Sequence, residues 1–176
     1  MQASANIPGE PATYEEIYVT HHARVVRLCR MLLADAHEAE EVGQEVFLKL
    51  FQARERGAPP TACGPWLTTV AVNACHDRRR SGWWRWWRER GESLDDQLPS
   101  RTATPEDAAA SRETRYRIWR ALQRLSRRQR EVFVLRQIEG WSTIEVAEML
   151  GVSVGSVKQH LFRAVGEMRA ALKDRR

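Results

Sequence analysis

The sequence predicts an all-α protein of two small helical domains, joined by a flexible acidic linker, with a helix-turn-helix as the C-terminal domain. Apolar residues recur at three- and four-residue steps, the period of one helix face. At three predicted helix starts Ser or Thr stands three residues before Glu or Gln, a pairing that caps helix N-termini. These points are Thr13 with Glu16, Ser126 with Gln129, and Ser142 with Glu145. The predicted boundaries are 13–90, 91–112 for the linker, and 113–176.

The first domain is predicted to begin with a long amphipathic helix capped at Thr13. Its apolar face consists of Ile17, Val25, Leu28, Leu32 and Leu33. His21 and His22 lie in the middle of this helix. Adjacent helical side chains point to different faces and are poorly placed to share a metal ion. We therefore predict no metal site here.

A second helix is predicted to start at Asp35 and to have one apolar and one acidic face. The apolar stripe consists of Ala39, Val42, Val46, Phe47 and Leu50. The opposite side consists of Glu40, Glu41, Gln44, Glu45 and Leu48. Gly43 costs this helix up to about 1 kcal/mol relative to Ala, and the close approach of another helix would explain it.

A proline- and glycine-rich loop, residues 53–64, is predicted to precede a third helix that has Pro65 in its first turn. The buried face of that helix consists of Trp66, Leu67, Val70, Ala71 and Ala74. Asn73, Asp77 and the run Arg78–Arg80 lie toward its exposed side and its end. Cations at a helix C-terminus are favourable for the helix dipole, which explains part of the arginine run.

The segment that follows, Trp83–Arg88, places four tryptophans among arginines and has three interpretations. The rings could pack under a partner protein or the second domain. They could instead stack on unpaired bases or lie at a membrane interface. Exposed tryptophans on a free monomer favour aggregation, so we expect them to be covered. Their role stays unassigned.

The helix start and stop signals of the C-terminal domain are those of a helix-turn-helix. The helix that starts at Ser126 is predicted to end at Gly140 in a left-handed cap. The short helix that starts at Ser142 is predicted to end at Gly151, and Ser153 caps a last, longer helix. In this motif the N-terminal residues of the last helix enter the DNA major groove.

The periodicity of the last helix separates a core face from an outward face. The positions predicted to face the core are Val154, Val157, Leu161, Val165 and Met168. The outward stripe consists of Ser156, Gln159, His160 and Arg163, with Lys158 beside it. Such donors suit base edges and phosphates, and Lys158 suits a phosphate. The alternative is an ordinary solvated face, but two successive capping boxes at this spacing favour DNA binding.

The distribution of charge supports a polyanionic partner. The net charge is +5, and residues 112–176 carry 15 Lys and Arg against 7 Asp and Glu, whereas residues 92–111 carry one Arg and five acids. On a DNA-binding protein the acidic face of the second helix would repel phosphates, which suggests that it contacts a protein. A solvated helix face is the commoner explanation, and periodicity alone favours it.

The cysteines and the apolar runs bear on the cellular location. Cys29, Cys63 and Cys75 have no disulfide-framework spacing, and we expect buried or inert thiols rather than a redox sensor. The N-terminus has no basic start followed by an apolar run, so no signal peptide is predicted. No apolar run approaches the length of a membrane span. We therefore expect a cytoplasmic protein.

Three segments together resemble one family, the bacterial sigma factors of RNA polymerase. EAEEVGQEVFLKLF is similar to their core-binding pattern, D-A-E-D-V-x-Q-E-x-F-L-x-L. PWLTTVAVNACHDRRR is similar to their promoter-melting pattern, W-L-x-x-I-A-x-N-x-x-x-D-x-x-R. The helix-turn-helix resembles their −35-binding domain. The order of the segments, the short length and the direct linker resemble the extracytoplasmic-function group, over about residues 13–90 and 113–173.

The resemblance implies that the acidic face is a docking surface for a protein. Glu41, Gln44, Glu45 and Leu48 would meet the clamp helices of the RNA polymerase β′ subunit, and the β subunit would complete the contact with core polymerase. Promoter DNA would be the second partner, and an anti-sigma factor that covers both domains the third. The protein would have no catalytic residues and would need no cofactor.

The resemblance also implies roles in promoter recognition. Trp66 and Asn73 would serve the −10 element, with Asn73 holding an unstacked base. The backbone near that base would be gripped by Arg78, Arg79 and Arg80. The −35 element would be read by Ser156, Lys158, Gln159, His160 and Arg163.

Several residues of the chain differ from those usual in the family, and four of them bear on the expected roles. Glu41 stands for the usual Asp, and Gly43 for a larger residue. Thr69 stands where a basic residue is frequent, which weakens the expected strand contacts there. His160 stands where Arg is common, so we expect an atypical −35 preference.

Two other classes of protein are weighed against this interpretation. A two-domain transcriptional regulator with a LuxR-like helix-turn-helix would share the pattern that begins at Leu125, but its N-terminal half would be an α/β domain with short apolar strands. A nuclease would need paired carboxylates near a basic groove. The acids here cluster on one face away from Arg78–Arg80, which disfavours it.

Overall fold

The fold is described from a computed structural model that covers residues 12–80 and 105–173, apart from the side chains of residues 105–112. These residues form α-helices and one π-helical turn and contain no β-strand, which confirms the all-α class. The elements are α1 Tyr14–Leu33, α2 Ala36–Glu55, α3 Cys63–Arg80, α4 Pro105–Arg124, α5 Arg127–Phe133, the π-helical turn Val134–Ile138, α6 Thr143–Leu150 and α7 Val154–Lys173. The Trp83–Trp87 cluster and residues 91–104 of the predicted linker lie outside the described residues.

The first three helices pack against one another as one unit. The capping box at Thr13 forms as predicted, because the Thr13 N–H donates to Glu16 Oε2 at 2.9 Å and the Glu16 N–H donates to Thr13 Oγ1 at 3.2 Å. Asp35 caps α2 by accepting from the Glu38 N–H at 2.8 Å. The apolar faces predicted for α1 and α2 are buried, and Cys29, Met31, Val72 and Cys75 join them in the core.

The structure explains Gly43, for which the sequence left a close helix approach as one of two open explanations. A Cβ at this position would lie 2.8 Å from Val26 Cγ2 on α1. The glycine therefore lets α1 and α2 pack more tightly than any larger residue would allow, which offsets its cost to helix stability.

The second unit begins with α4, which starts at Pro105, inside the predicted linker. In the helix-turn-helix, Ser142 Oγ accepts from the Glu145 N–H at 3.2 Å, and Gly151 adopts the left-handed conformation with φ 63°. Ser153 Oγ accepts from the Ser156 N–H at 3.1 Å at the start of α7. The helix boundaries predicted from these caps are confirmed.

One feature of the second unit was not predicted: the helix that starts after Ser126 widens into a π-helical turn before it ends. Gly140 does take the predicted left-handed conformation, with φ 80°. The wider turn places both Val134 and Leu135 in the core, and the Trp141 N–H donates to Leu135 O at 3.0 Å. Tertiary packing thus overrides the regular α-helical pattern here.

The core face predicted for α7 needs a correction at its first residue. Val154 is exposed rather than buried, since side chains on a helix lean toward its N-terminus and no helical turn precedes Val154 to be covered. Ala164 is buried instead, with Val157 and Met168, while Leu161 and Val165 are half-buried.

The two units touch through side chains of α1 and α3. Arg24 on α1 forms an ion pair with Glu139, which follows the π-helical turn. The Arg30 guanidinium lies 5.6 Å from the centre of the Trp119 ring on α4. These contacts place the two helical units directly against each other.

Candidate protein and nucleic-acid interfaces

The acidic face of α2 is one continuous exposed surface. Glu41, Gln44, Glu45 and Leu48 are spaced so that all four lie on one side of the helix, and all four are exposed. Leu48 is 55% exposed although it is a large apolar residue. An exposed leucine among carboxylates, opposite a fully buried stripe, gives α2 an outward face that combines charge with apolar area.

Arg78 reaches from α3 to this face. Its Nη1 lies 2.6 Å from Glu38 Oε2 and 2.6 Å from Glu41 Oε2, and its Nη2 pairs with Glu45. The hydrogen bond from Arg78 lowers the pKa of the Glu41 carboxyl. The sequence predicts an exposed Arg78 that lies away from the acids of α2, and both expectations need correction. The Arg78 side chain is only 18% exposed and is turned toward α2, because α2 and α3 pack side by side.

The other residues predicted to contact the −10 element lie along α3. Asn73 and Arg80 are exposed, Trp66 and Arg79 are half-buried. Trp66, Asn73 and Arg80 are separated by seven residues each, and two helical turns bring such positions to nearly the same face. The Thr69 hydroxyl donates to Pro65 O at 3.1 Å, so it is occupied within its own helix.

The outward surface of α7 differs from the predicted stripe in one respect. Lys158, Gln159 and Arg163 are exposed, whereas Ser156 and His160 are half-buried. Phe162 is 81% exposed and was missed, because only polar donors were considered. The sequence could have indicated it. Phe162 lies three residues after Gln159 and off the apolar stripe, so its phenyl ring is predicted to lie outside the core.

A buried ionic cluster lies where the two units meet. Glu131 on α5 is 2% exposed and accepts from Arg127 Nε at 2.8 Å and from Arg128 Nη1 at 2.9 Å, and its Oε1 lies 3.0 Å from His76 Nε2 on α3. Burial would raise the pKa of Glu131, but hydrogen bonds with His76 and Arg127 outweigh it and lower the pKa to about 2. The carboxylate is therefore charged, and His76 joins it to the first unit.

Arg24 forms a second link between the units. Besides the ion pair with Glu139, it donates to Thr68 Oγ1 at 3.0 Å and to Gly64 O at 3.1 Å. One guanidinium thereby connects α1, the first turns of α3 and the segment after the π-helical turn. Neither this link nor the Glu131 cluster was predicted, since the partners are far apart in sequence.

The remaining expectations concern thiols, metals and membranes. Cys29 and Cys75 are buried, which confirms the expected burial for these two, and Cys63 is half-buried. Hydrogen bonding with Cys29 and burial raise the pKa of Cys75, so its thiol stays protonated and unreactive.

Among residues 12–80 and 105–173, no three His, Cys, Asp or Glu side chains form a group that could hold a metal ion. Within the same residues no helix is both long and apolar enough to span a bilayer.

Comparison with known families matches both halves of the chain. The family profile described as Sigma-70 region 2 matches residues 17–85, and the profile described as Sigma-70, region 4 matches residues 115–168. Both describe parts of transcription initiation factors rather than catalysts. The LuxR-like alternative does not fit, because the N-terminal half matches region 2 and its described residues contain no strand.

Similar full-length proteins have names of the same kind. The chain is 33% identical to the ECF RNA polymerase sigma factor SigL of Mycobacterium tuberculosis, over 98% of this chain and 96% of SigL. It is 30% identical to the RNA polymerase sigma factor CarQ of Myxococcus xanthus, over 94% of this chain and 92% of CarQ.

Two solved structures share the fold. The sigma factor RpoE of Bartonella quintana, in complex with the anti-sigma factor NepR, superposes with a TM-score of 0.67 at 18% identity, over 93% of this chain and 98% of RpoE. CnrH, in complex with the cytosolic domain of CnrY, superposes with a TM-score of 0.57 at 23% identity, over 93% of this chain and 89% of CnrH.

Proposed function

The chain belongs to the sigma-70 family of RNA polymerase sigma factors, in its extracytoplasmic-function group, and we propose how its surfaces divide the work of transcription initiation. As a sigma factor it binds core RNA polymerase and directs initiation at specific promoters. The observation that carries the proposal is the separation of three exposed faces, on α2, α3 and α7. Each face has the chemistry that one partner surface requires.

The face on α2 is proposed to dock core polymerase through the β′ clamp helices, with the β subunit as a further contact. Glu41 and Glu45 are 46% and 48% exposed and offer carboxylate oxygens to a basic partner. Leu48 lies on the same side of α2 and adds apolar area that a partner could cover. An acidic surface would repel DNA, so a protein partner accounts for this face better than promoter DNA does.

The face on α3 is proposed to serve the −10 element. Asn73 is exposed and carries both donors and an acceptor that suit the edge of an unstacked base. Trp66 lies on the same face, and Arg79 and Arg80 continue toward the backbone. Extruding a base costs a few kcal/mol, which the contacts in its pocket must offset.

The face on α7 is proposed to read the −35 element in the major groove. Gln159 and Arg163 are exposed and can make bidentate contacts with bases, Ser156 and His160 flank them, and Lys158 suits a phosphate. We add Phe162 to this set, because its exposed ring can contact a thymine methyl group.

Promoter binding is proposed to require that the two units separate. Elements roughly 25 base pairs apart lie on the order of 80 Å apart in B-DNA. His76 lies only one turn beyond Asn73 and contacts Glu131 at 3.0 Å, so the docked arrangement holds both DNA-binding faces in one small body. A 20-residue helix such as α7 spans only about 30 Å. The contacts of Glu131 and Arg24 must therefore open before both elements are bound.

We propose further that an anti-sigma factor regulates the chain, in the cytoplasm, and that the chain performs no catalysis. Two proteins that share the fold, RpoE and CnrH, were each solved with a bound partner, an anti-sigma factor in the case of RpoE. The exposed docking face on α2 and the cavity of about 520 Å³ between α1 and α4, lined by Val26, Ile118 and Trp119, are the surfaces such a partner would cover.

The test is binding to bacterial core RNA polymerase by the wild type, by Glu41→Arg with Gln44→Ala, and by Glu55→Arg as a charge-reversal control elsewhere on α2. We expect the wild type and the control to bind and the double variant to lose binding with unchanged helicity by circular dichroism. No binding by a folded wild-type protein would refute the proposal. Equal loss in the control would show that charge alone, and not this face, matters.

A further inference from the structure

One side chain of α3, Arg78, bonds to the exposed carboxylates of α2 from their buried side. Glu38, Glu41 and Glu45 follow one another at helical spacing, and the guanidinium of Arg78 bonds to all three. Such a spacing brings like charges together and destabilises a helix that has no compensating cation. Arg78 supplies that cation from a different helix.

The geometry leaves the outer sides of these carboxylates open to a partner. Arg78 and Glu38 lie beneath, with side chains 18% and 10% exposed, while Glu41 and Glu45 are about half exposed. Arg78 uses Oε2 of Glu41 and Oε1 of Glu45, and the exposed His37 ring lies with Nδ1 3.5 Å from Oε1 of Glu41. Each carboxylate can still accept further hydrogen bonds. One guanidinium against three carboxylates also leaves a net negative charge on the face.

We propose that Arg78 is a positioning residue of the polymerase-docking face: it fixes the Glu41 and Glu45 carboxylates in the orientation that a basic partner meets. The inference rests on the docking function proposed for α2. A planar guanidinium with a fixed fork of donors orients several carboxylates at once, which an ammonium group does not. A preorganised face loses less side-chain freedom on binding than an unorganised one.

The same contact joins two functional faces. Arg78 lies on α3 two residues before Arg80 and five after Asn73, so the residue that organises the docking face also belongs to the helix proposed to serve the −10 element. The docking face and the promoter face are thereby held in a fixed relation through one guanidinium.

The first measurement is the affinity of core polymerase for Arg78→Gln, Arg78→Lys and, as a control, Arg56→Gln, which removes an exposed arginine directly after α2. We expect Arg78→Gln to weaken binding about tenfold, from the added cost of ordering two long side chains. We expect about threefold for Arg78→Lys, which keeps the charge without the fork, and no change for Arg56→Gln.

The second measurement is the pH dependence of polymerase binding. If Arg78 had only a structural role, replacing it would not change this pH dependence. Arg78 and His37 face the Glu41 carboxyl, and Glu38 and Glu45 share Arg78 with it. The hydrogen bond from Arg78 is the largest cause that lowers the pKa of Glu41, so wild-type docking persists to lower pH than docking of Arg78→Gln, while His37 is present in both. The acid limb of binding therefore moves to higher pH in Arg78→Gln. In a Glu41→Gln background, Arg78→Gln should weaken binding less than it does in the wild type.

The outcomes separate this inference from the proposed function. If the wild type does not bind polymerase, or Glu41→Arg with Gln44→Ala binds normally, the docking function itself fails. If those results hold but Arg78→Gln binds polymerase as well as the wild type and loses only promoter DNA, Arg78 is a DNA contact and the inference is overturned. If Arg78→Gln does not fold, wild-type affinity in Arg78→Lys overturns it instead.

Discussion

Helix α3 takes part in two ionic clusters of opposite design. In one, the cation Arg78 is surrounded by the carboxylates of Glu38, Glu41 and Glu45. In the other, the anion Glu131 is surrounded by His76, Arg127 and Arg128. His76 and Arg78 are two residues apart, so the same turn of α3 serves both clusters.

The clusters differ in how far their central ion is removed from water. Glu131 is 2% exposed and Arg78 is 18% exposed. Each cluster has two partners that reach water, Arg127 and Arg128 at 41% and 37%, Glu41 and Glu45 at 46% and 48%, so the contrast lies in the central ion. A dry central ion is costly to leave without partners, while ion pairs open to water contribute little to stability and exchange partners easily. The Glu131 cluster is therefore expected to stabilise the contact between the units, whereas the Arg78 cluster leaves charge exposed at the surface.

The largest expected effect comes from Glu131→Gln. The change removes the negative charge of the buried carboxylate. It leaves His76, Arg127 and Arg128 without their anionic partner and loosens the contact between the units. We expect a loss of about 3 kcal/mol in the free energy of unfolding. Urea denaturation measures it, with Glu148→Gln, an exposed glutamate of α6, as the control. Equal costs for the two variants would contradict the contrast between the clusters.

Acid should remove the same stabilisation from the wild type. Folding lowers the pKa of Glu131 from 4.5 to about 2, so its contribution is fully present above pH 4.5 and is lost as the pH falls toward 2. At neutral pH the contribution is about 3 kcal/mol. Unfolding curves of the wild type and Glu131→Gln should converge over that window. A difference that stays constant down to pH 2 would show that charge is not the cause.

A change in the packing of α1 against α2 tests how helix placement, as distinct from charge, contributes to stability. Gly43→Ala should destabilise by about 1 kcal/mol, since overpacking against Val26 outweighs the better helix propensity of Ala. Val26→Ala removes the opposing methyl groups, so the double variant should be about 1 kcal/mol more stable than the two single costs predict. Strict additivity in thermal or urea unfolding would argue against the contact.

The smallest expected effect on stability comes from Arg78→Gln. Because two partners of Arg78 remain open to water, we expect a loss of no more than about 1 kcal/mol in the free energy of unfolding. Urea denaturation beside Arg80→Gln measures this cost. A loss as large as that of Glu131→Gln would make Arg78 a structural residue and remove the contrast between the clusters.

Much of the fold could be predicted because its signals are local. The caps at Thr13, Ser142 and Ser153 involve atoms three residues apart, so a short window of sequence contains both partners. The acidic face of α2 could likewise be predicted from one helix, since positions such as Glu41 and Leu48 share a side by period alone. The proposal that this face docks polymerase came from the family resemblance and not from its spacing.

Local sequence signals were enough to predict the helical class, the capped helix starts and the faces of α2. The contacts of Arg78, His76 and Arg24 could not be predicted in this way, because their partners lie 33–115 residues away along the chain. The same holds for the π-helical turn at Val134, where burial of neighbouring side chains overrides the local pattern. Local hydrogen bonds are fixed by nearby residues, whereas charge pairing and packing depend on which helices meet.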